Sequence, residues 1–457
     1  ATSYVTAVGT GIDETYTSGG NNSTAISTYA LIGGSLLVKS TGKAGCCYRG
    51  IYTARGVKVD SRVVDSNSFT TAYHQIGATT YDTTYGSKNC YLQVMYCPPT
   101  TDYWQNNYAS SFAGGSGTSS SPYLISNAEQ LARLAYLSND SSNYSAYQSK
   151  FYKLTADIDL SGKIWTPIGN KYPFTGDFNG AGYTINGLTC RCFNEIDPTY
   201  YVADTTSSLI SYIRIGLFGQ VKGSLTNFVL TNVDIGDDDE LCIPFYDIFK
   251  NVYIGAVCGQ LTGNKTGSRA RVYKVGAFGS VSFYSVEGSL NMNIGGLVGE
   301  LSLDASILES FNSAYVKFET KYGYTVCGVG GLVGTMQGDS DTSTPYYPTI
   351  ATSYNNGSVS SYSMDTGGLV GHVSNAAQMY RSYNIGTVSA WGFLGGLVGN
   401  DNSKFAAYNC FSDMDFGSVY ITNRGGKYVS GGTSNKGVLC GWTSTSTVYS
   451  YCGYNSE

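Results

Sequence analysis

Charge is scarce in this chain. Lys, Arg, Asp and Glu make up 13% of its 457 residues and the formal net charge is -5, about half the usual charged share of a soluble domain. A field that weak steers neither a polyanion nor an anionic membrane, so nucleic-acid and electrostatic membrane binding are set aside. Histidine is scarcer still, with only His74 and His372. They stand in Tyr73-His74-Gln75 and Gly371-His372-Val373, so no helix carries two histidines four apart with a glutamate between them, and zinc-peptidase chemistry is not expected of this chain. A serine or cysteine nucleophile would need one of the same histidines as its base, and neither lies in a nucleophile-like motif. Both are read as ordinary surface or core residues. No stretch approaches the ~20 apolar residues of a membrane-spanning helix; the longest, such as Leu36-Leu37-Val38, are strand-sized.

What the chain has in excess is glycine, 58 residues, and tyrosine, 41, within a hydrophobic fraction of 42%. That apolar share fills a core, so disorder over the whole length is excluded and two or more domains fit. Ser, Thr, Asn and Tyr keep such a surface in water in place of charge. The twelve cysteines are Cys46, Cys47, Cys90, Cys97, Cys190, Cys192, Cys242, Cys258, Cys327, Cys410, Cys440 and Cys452. None forms the paired C-x-x-C set of a zinc site, and an even number without metal spacing favours disulfides in an oxidising, extracellular setting. The plainer alternative is that several are small buried hydrophobes in a reducing compartment. The chain opens at Ala1 without a basic-then-apolar leader, the form expected of a secreted protein after signal-peptide removal.

An internal repeat organises the C-terminal three quarters. Ile294-Gly295-Gly296-Leu297-Val298-Gly299 recurs as Val329-Gly330-Gly331-Leu332-Val333-Gly334, Thr366-Gly367-Gly368-Leu369-Val370-Gly371 and Leu394-Gly395-Gly396-Leu397-Val398-Gly399, with looser copies ending at Gly219, Gly259 and Gly441. The last glycines, Gly219, Gly259, Gly299, Gly334, Gly371, Gly399 and Gly441, are spaced by 40, 40, 35, 37, 28 and 42 residues, a period that means an array. A weaker unit lies between them: Ser353-Tyr354-Asn355-Asn356-Gly357-Ser358-Val359 and Ser382-Tyr383-Asn384-Ile385-Gly386-Thr387-Val388, with Gly417-Ser418-Val419 as a fragment. Each repeat is thus read as two short strands and their turns. Helical repeats are excluded, because apolar residues never persist at i, i+3, i+4, i+7 and the composition is that of strands. Within a strand, Leu297 and Val298 point to opposite faces, so both faces are covered. The glycines serve either a positive φ at a corner or the close approach of one turn of chain to the next. Strands this short are stable only when stacked, which is the physics of a β-solenoid.

Upstream, Ser126 to Glu129 reads as a capping box, with Leu131, Leu134, Ala135 and Leu137 at helical spacing after it. A helix over about 127–138 is expected as the lid of an otherwise open solenoid end. The Gly/Ser-rich segment 113–121 reads as a linker. Residues 1–112, strand-like at 30–39, 48–54, 57–64 and 90–96, read as a small β-sandwich or jelly-roll-like domain. The solenoid is expected over 122–445, and 446–457 as a tail or interface strand.

Several motifs resemble a known family in the family's order. Pro122-Tyr123-Leu124-Ile125-Ser126-Asn127-Ala128-Glu129-Gln130-Leu131, then Tyr152 to Leu160, Trp165-Thr166-Pro167-Ile168-Gly169 and Phe174 to Gly180, followed by the Gly-Gly-Leu-Val-Gly copies, resemble bacterial and archaeal surface proteins with GLUG repeats. The resemblance covers about 122–445. It implies a right-handed parallel β-helix, secretion, and kinship with adhesins, large surface proteins and the accessory regions of bacterial IgA-cleaving metallopeptidases. Residues 1–110 match no family.

Polysaccharide cleavage is the enzymatic alternative, since many parallel β-helices act on glycans through carboxylates, with or without calcium. Asp157 and Asp159 lie two apart, and Asp237, Asp238, Asp239 and Glu240 concentrate charge in one loop, the candidate calcium ligands. The simpler readings are a turn or cap for the first pair and a solvated loop for the second. No catalytic residue and no cofactor are expected. The abundant tyrosines suggest binding to sugars or sister subunits, or packing inside the array. The expected function is that of a secreted structural or adhesive surface protein, a self-assembling subunit of an extracellular filament or surface layer joined head to tail. The alternatives are a monomeric adhesin or glycan-binding module and, third, a polysaccharide-active enzyme.

Overall fold

A computed structural model of the chain describes residues 103–190, 201–203, 210–236, 251–265, 270–285, 291–320, 327–341, 346–362, 365–401, 404–413, 436–437, 439–443 and 448–454, together with seven strands in the first hundred residues. The chain divides into two units, Ala1–Thr101 with Cys192–Asp197 and Asp239–Ile248, and Asp102–Arg191 with Pro198–Asp238 and Phe249–Glu457. In the first, Tyr4–Gly9, Ser35–Ser40, Cys90–Tyr96, Val57–Val64 and Phe69–Thr70 form one mixed sheet, and Tyr29–Leu31 and Ile51–Thr53 pair in another. The division falls at Thr101/Asp102, before the Gly/Ser-rich segment. That segment is pinned rather than free: Ala113 N–H donates to the Leu124 carbonyl and Leu124 N–H to the Gly114 carbonyl, both at 2.9 Å. Gly115 and Gly117, at φ 85° and 75°, supply the left-handed turns that close it.

The second unit is almost all β, built on long parallel sheets. Along each repeat the chain passes through a strand of one sheet, bends, enters a strand of a second and runs through a third, as one long strand in Ser224–Ile235 and Arg271–Ser285 and as two or three short strands in later repeats, before it returns. Phe218, Cys258, Val298, Val333, Val370, Val398 and Cys440 are successive parallel register partners in one sheet. Ile215, Ile254, Ile294, Val329, Thr366 and Leu394 are such partners in the sheet before the bend. Val272, Ile307, Ile350, Met379, Ala407 and Tyr449 are partners in the third. The sequence period is therefore the register of three sheets.

Two expectations are corrected here. From Asn291 to Thr320 the repeat holds five strands, Asn291–Gly295, Val298–Ser302, Ser306–Leu308, Phe311–Asn312 and Tyr315–Thr320; the two- and three-residue pieces are too short to show alternation. Leu297 and Val298 are both fully buried, as expected, but they are not neighbours within one strand, since Leu297 lies between the strands Asn291–Gly295 and Val298–Ser302. The chain bends at Gly296-Leu297, so the leucine fills the corner while the valine opens the next strand. Leu297, Leu332, Leu369 and Leu397 stack there, each N–H donating to the carbonyl of the next leucine, or of Leu439 at the end, at 2.9–3.0 Å. Each such buried Leu or Val contributes roughly 1.5–3 kcal/mol.

Aromatics and a helix pack in the N-terminal part of this unit. Phe174, Phe178, Phe218 and Phe228 are fully buried with ring centroids 5.2–5.6 Å apart, and Trp165 Nε1 donates to the Leu217 carbonyl at 2.9 Å. The helix spans Ala128–Asn139 and buries Leu131, Leu134, Ala135 and Leu137. Its cap differs from the expected Ser126/Glu129 box. Asn127 is the N-cap, its Oδ1 accepting from Gln130 N–H at 3.0 Å, and Gln130 Oε1 reaches back to Ser126 N–H at 2.8 Å and Ser126 Oγ at 3.1 Å. The Asn127–Gln130 pair has the same three-residue spacing shifted by one, and asparagine caps as well as serine. No helix among the described residues is long and apolar enough to cross a membrane.

Candidate interaction surface

The repeat glycines sit where sheets press backbone on backbone. A methyl group on any of Gly219, Gly259, Gly299, Gly334, Gly371, Gly399 or Gly441 would come within 2.1–2.8 Å of a neighbouring atom, at Gly299 within 2.6 Å of both the Gly259 carbonyl and the Ile254 nitrogen. None of the seven has a positive φ, so close approach, not turn geometry, selects glycine. Asp237, Asp238, Asp239 and Glu240 lie outside the described residues, as does Gly417-Ser418-Val419. Among the described residues no group of three or more His, Cys, Asp or Glu side chains is placed to hold a metal ion.

Asp157 and Asp159 do not converge on a common point of chemistry. Asp157 Oδ1 accepts from Thr184 N–H at 2.7 Å; Asp159 Oδ1 accepts from Ser161 N–H and Asn186 Nδ2, both at 3.0 Å. These bonds hold both carboxyls below the usual range, which is the turn-and-cap arrangement. No disulfide joins the described cysteines, Cys190, Cys258, Cys410, Cys440 and Cys452. Burial pushes the Cys258 thiol up.

Side chains one repeat apart instead form rows. Buried Asn312, Asn355 and Asn384 link amide to amide at 2.9 and 2.8 Å, each amide nitrogen also donating to a turn carbonyl, of Ala314, Gly357 and Gly386. Beside them Ser310 N–H donates to Ser353 Oγ at 3.1 Å and Ser353 N–H to Ser382 Oγ at 3.2 Å. The recurrent Ser-Tyr-Asn of the weaker unit is the sequence trace of both rows. On the outside Phe311, Tyr354 and Tyr383 stack at 5.3 and 5.0 Å, and Tyr380 on Tyr408 at 5.3 Å. Phe278, Tyr383 and Phe411 are exposed along this face.

A third row runs over the residues following the repeat glycines. Arg214 Nε donates to Gln260 Oε1, and Gln260 Nε2 to Glu300 Oε1 at 3.1 Å. Burial holds the Glu300 carboxyl above its ordinary value, opposed by the Gln260 bond and the Arg214 charge. Further along, buried Asp365 lies 2.8 Å from His372 Nδ1 and accepts from Asn400 Nδ2 at 3.0 Å. Thr335, the register partner of His372, donates its hydroxyl to Asn293 Oδ1 at 2.6 Å. The histidine thus has a carboxylate to orient it, while the hydroxyl beside it is turned to a different acceptor.

The two ends of the array differ. At the start, Tyr123–Ile125 pairs with Phe151–Leu154 on one side and bridges Gly114 on the other. At the far end, Val448–Ser450 and Gly453–Tyr454 pair with Phe405–Tyr408 and Phe411–Ser412 on one side, and with no strand on the other among the described residues. The region expected as a tail or interface strand thus continues the sheet of the preceding repeats.

No family model matches the chain. It is 30% identical over 213 residues to halomucin of Haloquadratum walsbyi, covering 44% of this chain and 2% of halomucin. It is 32% identical over 162 residues to an Evansella cellulosilytica protein described as a Gly-rich membrane protein, covering 35% of this chain and 15% of that one. The chain therefore spans a small part of both relatives. Among solved structures, a proposed immunoglobulin A1 protease from Bacteroides ovatus matches 74% of this chain and 87% of its own at a TM-score of 0.50 and 19% identity. At that identity the likeness is one of fold.

Proposed function

We propose that the chain is a structural component of the cell surface, in which the parallel sheets wind as a β-solenoid and copies join end to end. The observation that carries this reading is the repetition itself: register partners one repeat apart run through three parallel sheets, and Asn312, Asn355 and Asn384 link the repeats amide to amide. Repeats that bury themselves only against their neighbours suit stacking of a further copy on the array. The likeness to halomucin and to a Gly-rich membrane protein supports a place at the surface, as does a polar surface poor in charge.

A monomeric adhesin that stacks sugars on the exposed aromatic row stands second. The faces of Phe311, Tyr354 and Tyr383 are already turned to one another, so that row offers edges and hydroxyls. Catalysis stands third, because Asp157 and Asp159 are engaged by turn donors and the Thr335 hydroxyl by Asn293. Electron microscopy and sedimentation of the purified chain test the leading reading. Rods or fibres are expected, shortened by Val448→Lys, which places a charge on an exposed strand residue of the last described repeat. Monodisperse monomers at all concentrations, with no appendage containing the chain on cells, would remove it.

A further inference from the structure

The serine row ends in sulfur. The residue immediately before each short Phe/Tyr-Asn strand is Ser310, Ser353 and Ser382; in the last two repeats the same position is Cys410 and Cys452. The hydroxyls of Ser310, Ser353 and Ser382 donate to the carbonyl two residues earlier at 2.8–2.9 Å. Cys410 Sγ and Cys452 Sγ contact the equivalent carbonyls, of Tyr408 and Ser450, at 3.4 and 3.5 Å. Phe411 is the register partner of Gly453 and Ser412 of Tyr454, so the two preceding cysteines lie side by side on adjacent parallel strands, where the Cα separation of ~4.8 Å falls inside the range a disulfide spans. Each thiol shifts the titration of the other, Cys410 upward and Cys452 downward.

We propose that Cys410 and Cys452 are the two halves of a disulfide that staples the last two repeats together. The partly exposed Cys452 is the entry point and the buried Cys410 the resolving group. The neighbouring Cys410, through its thiol and its backbone N–H, lowers the Cys452 thiol to about 6, which favours the attacking thiolate. With a small-molecule or protein disulfide as oxidant, the Cys452 thiolate attacks one of its sulfurs and expels the other as a thiolate. Cys410 then gives up its proton to solvent and attacks Cys452 Sγ, releasing the second thiol. Two protein thiols are oxidised to one disulfide and one external disulfide is reduced to two thiols. Of the other described cysteines, Cys440 lies beside Val398 and Cys258 between Phe218 and Val298 in a different sheet, and Cys190 is the register partner of Ile235 in an early repeat. The bond would close a loop of one whole repeat and tie Val448–Ser450 and Gly453–Tyr454 to the repeat before them.

The full chain is incubated with oxidised glutathione, remaining thiols are alkylated, and peptides are mapped without reduction. A peptide pair joining Cys410 to Cys452 is expected, with a rise of several degrees in melting temperature that reduction reverses. The Cys410→Ser/Cys452→Ser variant should fold like the reduced protein, since serine fills this position in three earlier repeats, and should show no oxidation-dependent shift. Both thiols remaining open to alkylation after oxidation, or Cys452 joined to Cys440 or to a second chain, overturns the proposal.

Discussion

Asn355 spends its whole hydrogen-bonding capacity on the repeat. Its amide nitrogen donates to Asn384 Oδ1 and to the Gly357 carbonyl, both at 2.8 Å, while its oxygen accepts from Asn312 Nδ2 at 2.9 Å and from Gly357 N–H at 3.2 Å. Two of these bonds shape the local turn and two cross to neighbouring repeats. A buried amide is tolerated only when satisfied in this way, so the row acts as a register device: slipping one repeat by a residue strands three amides at once.

Asn355→Ala should therefore cost more than the volume it removes. It leaves donors and acceptors on Asn312, Asn384 and Gly357 without partners in the core, and about 3 kcal/mol of destabilisation is expected. Ser358→Ala, at an exposed position on the same turn, should change stability by less than about 0.5 kcal/mol. Chemical denaturation of the two variants side by side checks the difference; equal midpoints would mean that the asparagine row does not hold the repeats in step.

Glycine substitutions separate close packing from turn geometry. A Cβ on Gly331 would lie 2.1 Å from the Gly368 carbonyl and 2.3 Å from Asn355 Cγ, whereas Gly182, at φ 89°, has nothing within 4 Å. Gly331→Ala must push two repeats apart, at a cost of about 3 kcal/mol or more. Gly182→Ala meets only the left-handed backbone penalty of ~1–2 kcal/mol. Thermal melts of both variants should rank them in that order.

The period, the strand character, the helix near 127–138 and the weight of the glycines were all legible in the sequence, because each leaves a pattern longer than four residues. The cap was misread by one position, since Ser126 and Asn127 both suit it and only backbone geometry distinguishes them. Strands such as Phe311–Asn312 were invisible: two residues carry no alternation, and it is the neighbouring repeat that makes them strands. The Ser-Ser-Ser-Cys-Cys succession was in plain view, yet the spacing between its members varies with the repeat, so only the register aligns Cys410 with Cys452.

Glu300 gives the array a pH dependence of definite sign. Burial raises its folded pKa above the unfolded value, the Gln260 hydrogen bond and the Arg214 charge offsetting only part of the shift. The folded state therefore disfavours the ionised form: stability is greatest below the unfolded carboxylate range and is lost as pH rises through the folded pKa. Glu300→Gln keeps an oxygen for Gln260 Nε2 and removes the titration. The variant should match the wild type at about pH 4 and gain on it in stability as pH rises, since only the wild type has a carboxyl whose ionised form burial disfavours. Denaturation midpoints of the two proteins measured across this range decide it: a wild type that gains on the variant as pH rises would mean that Arg214 outweighs burial, and that this row is held together by charge.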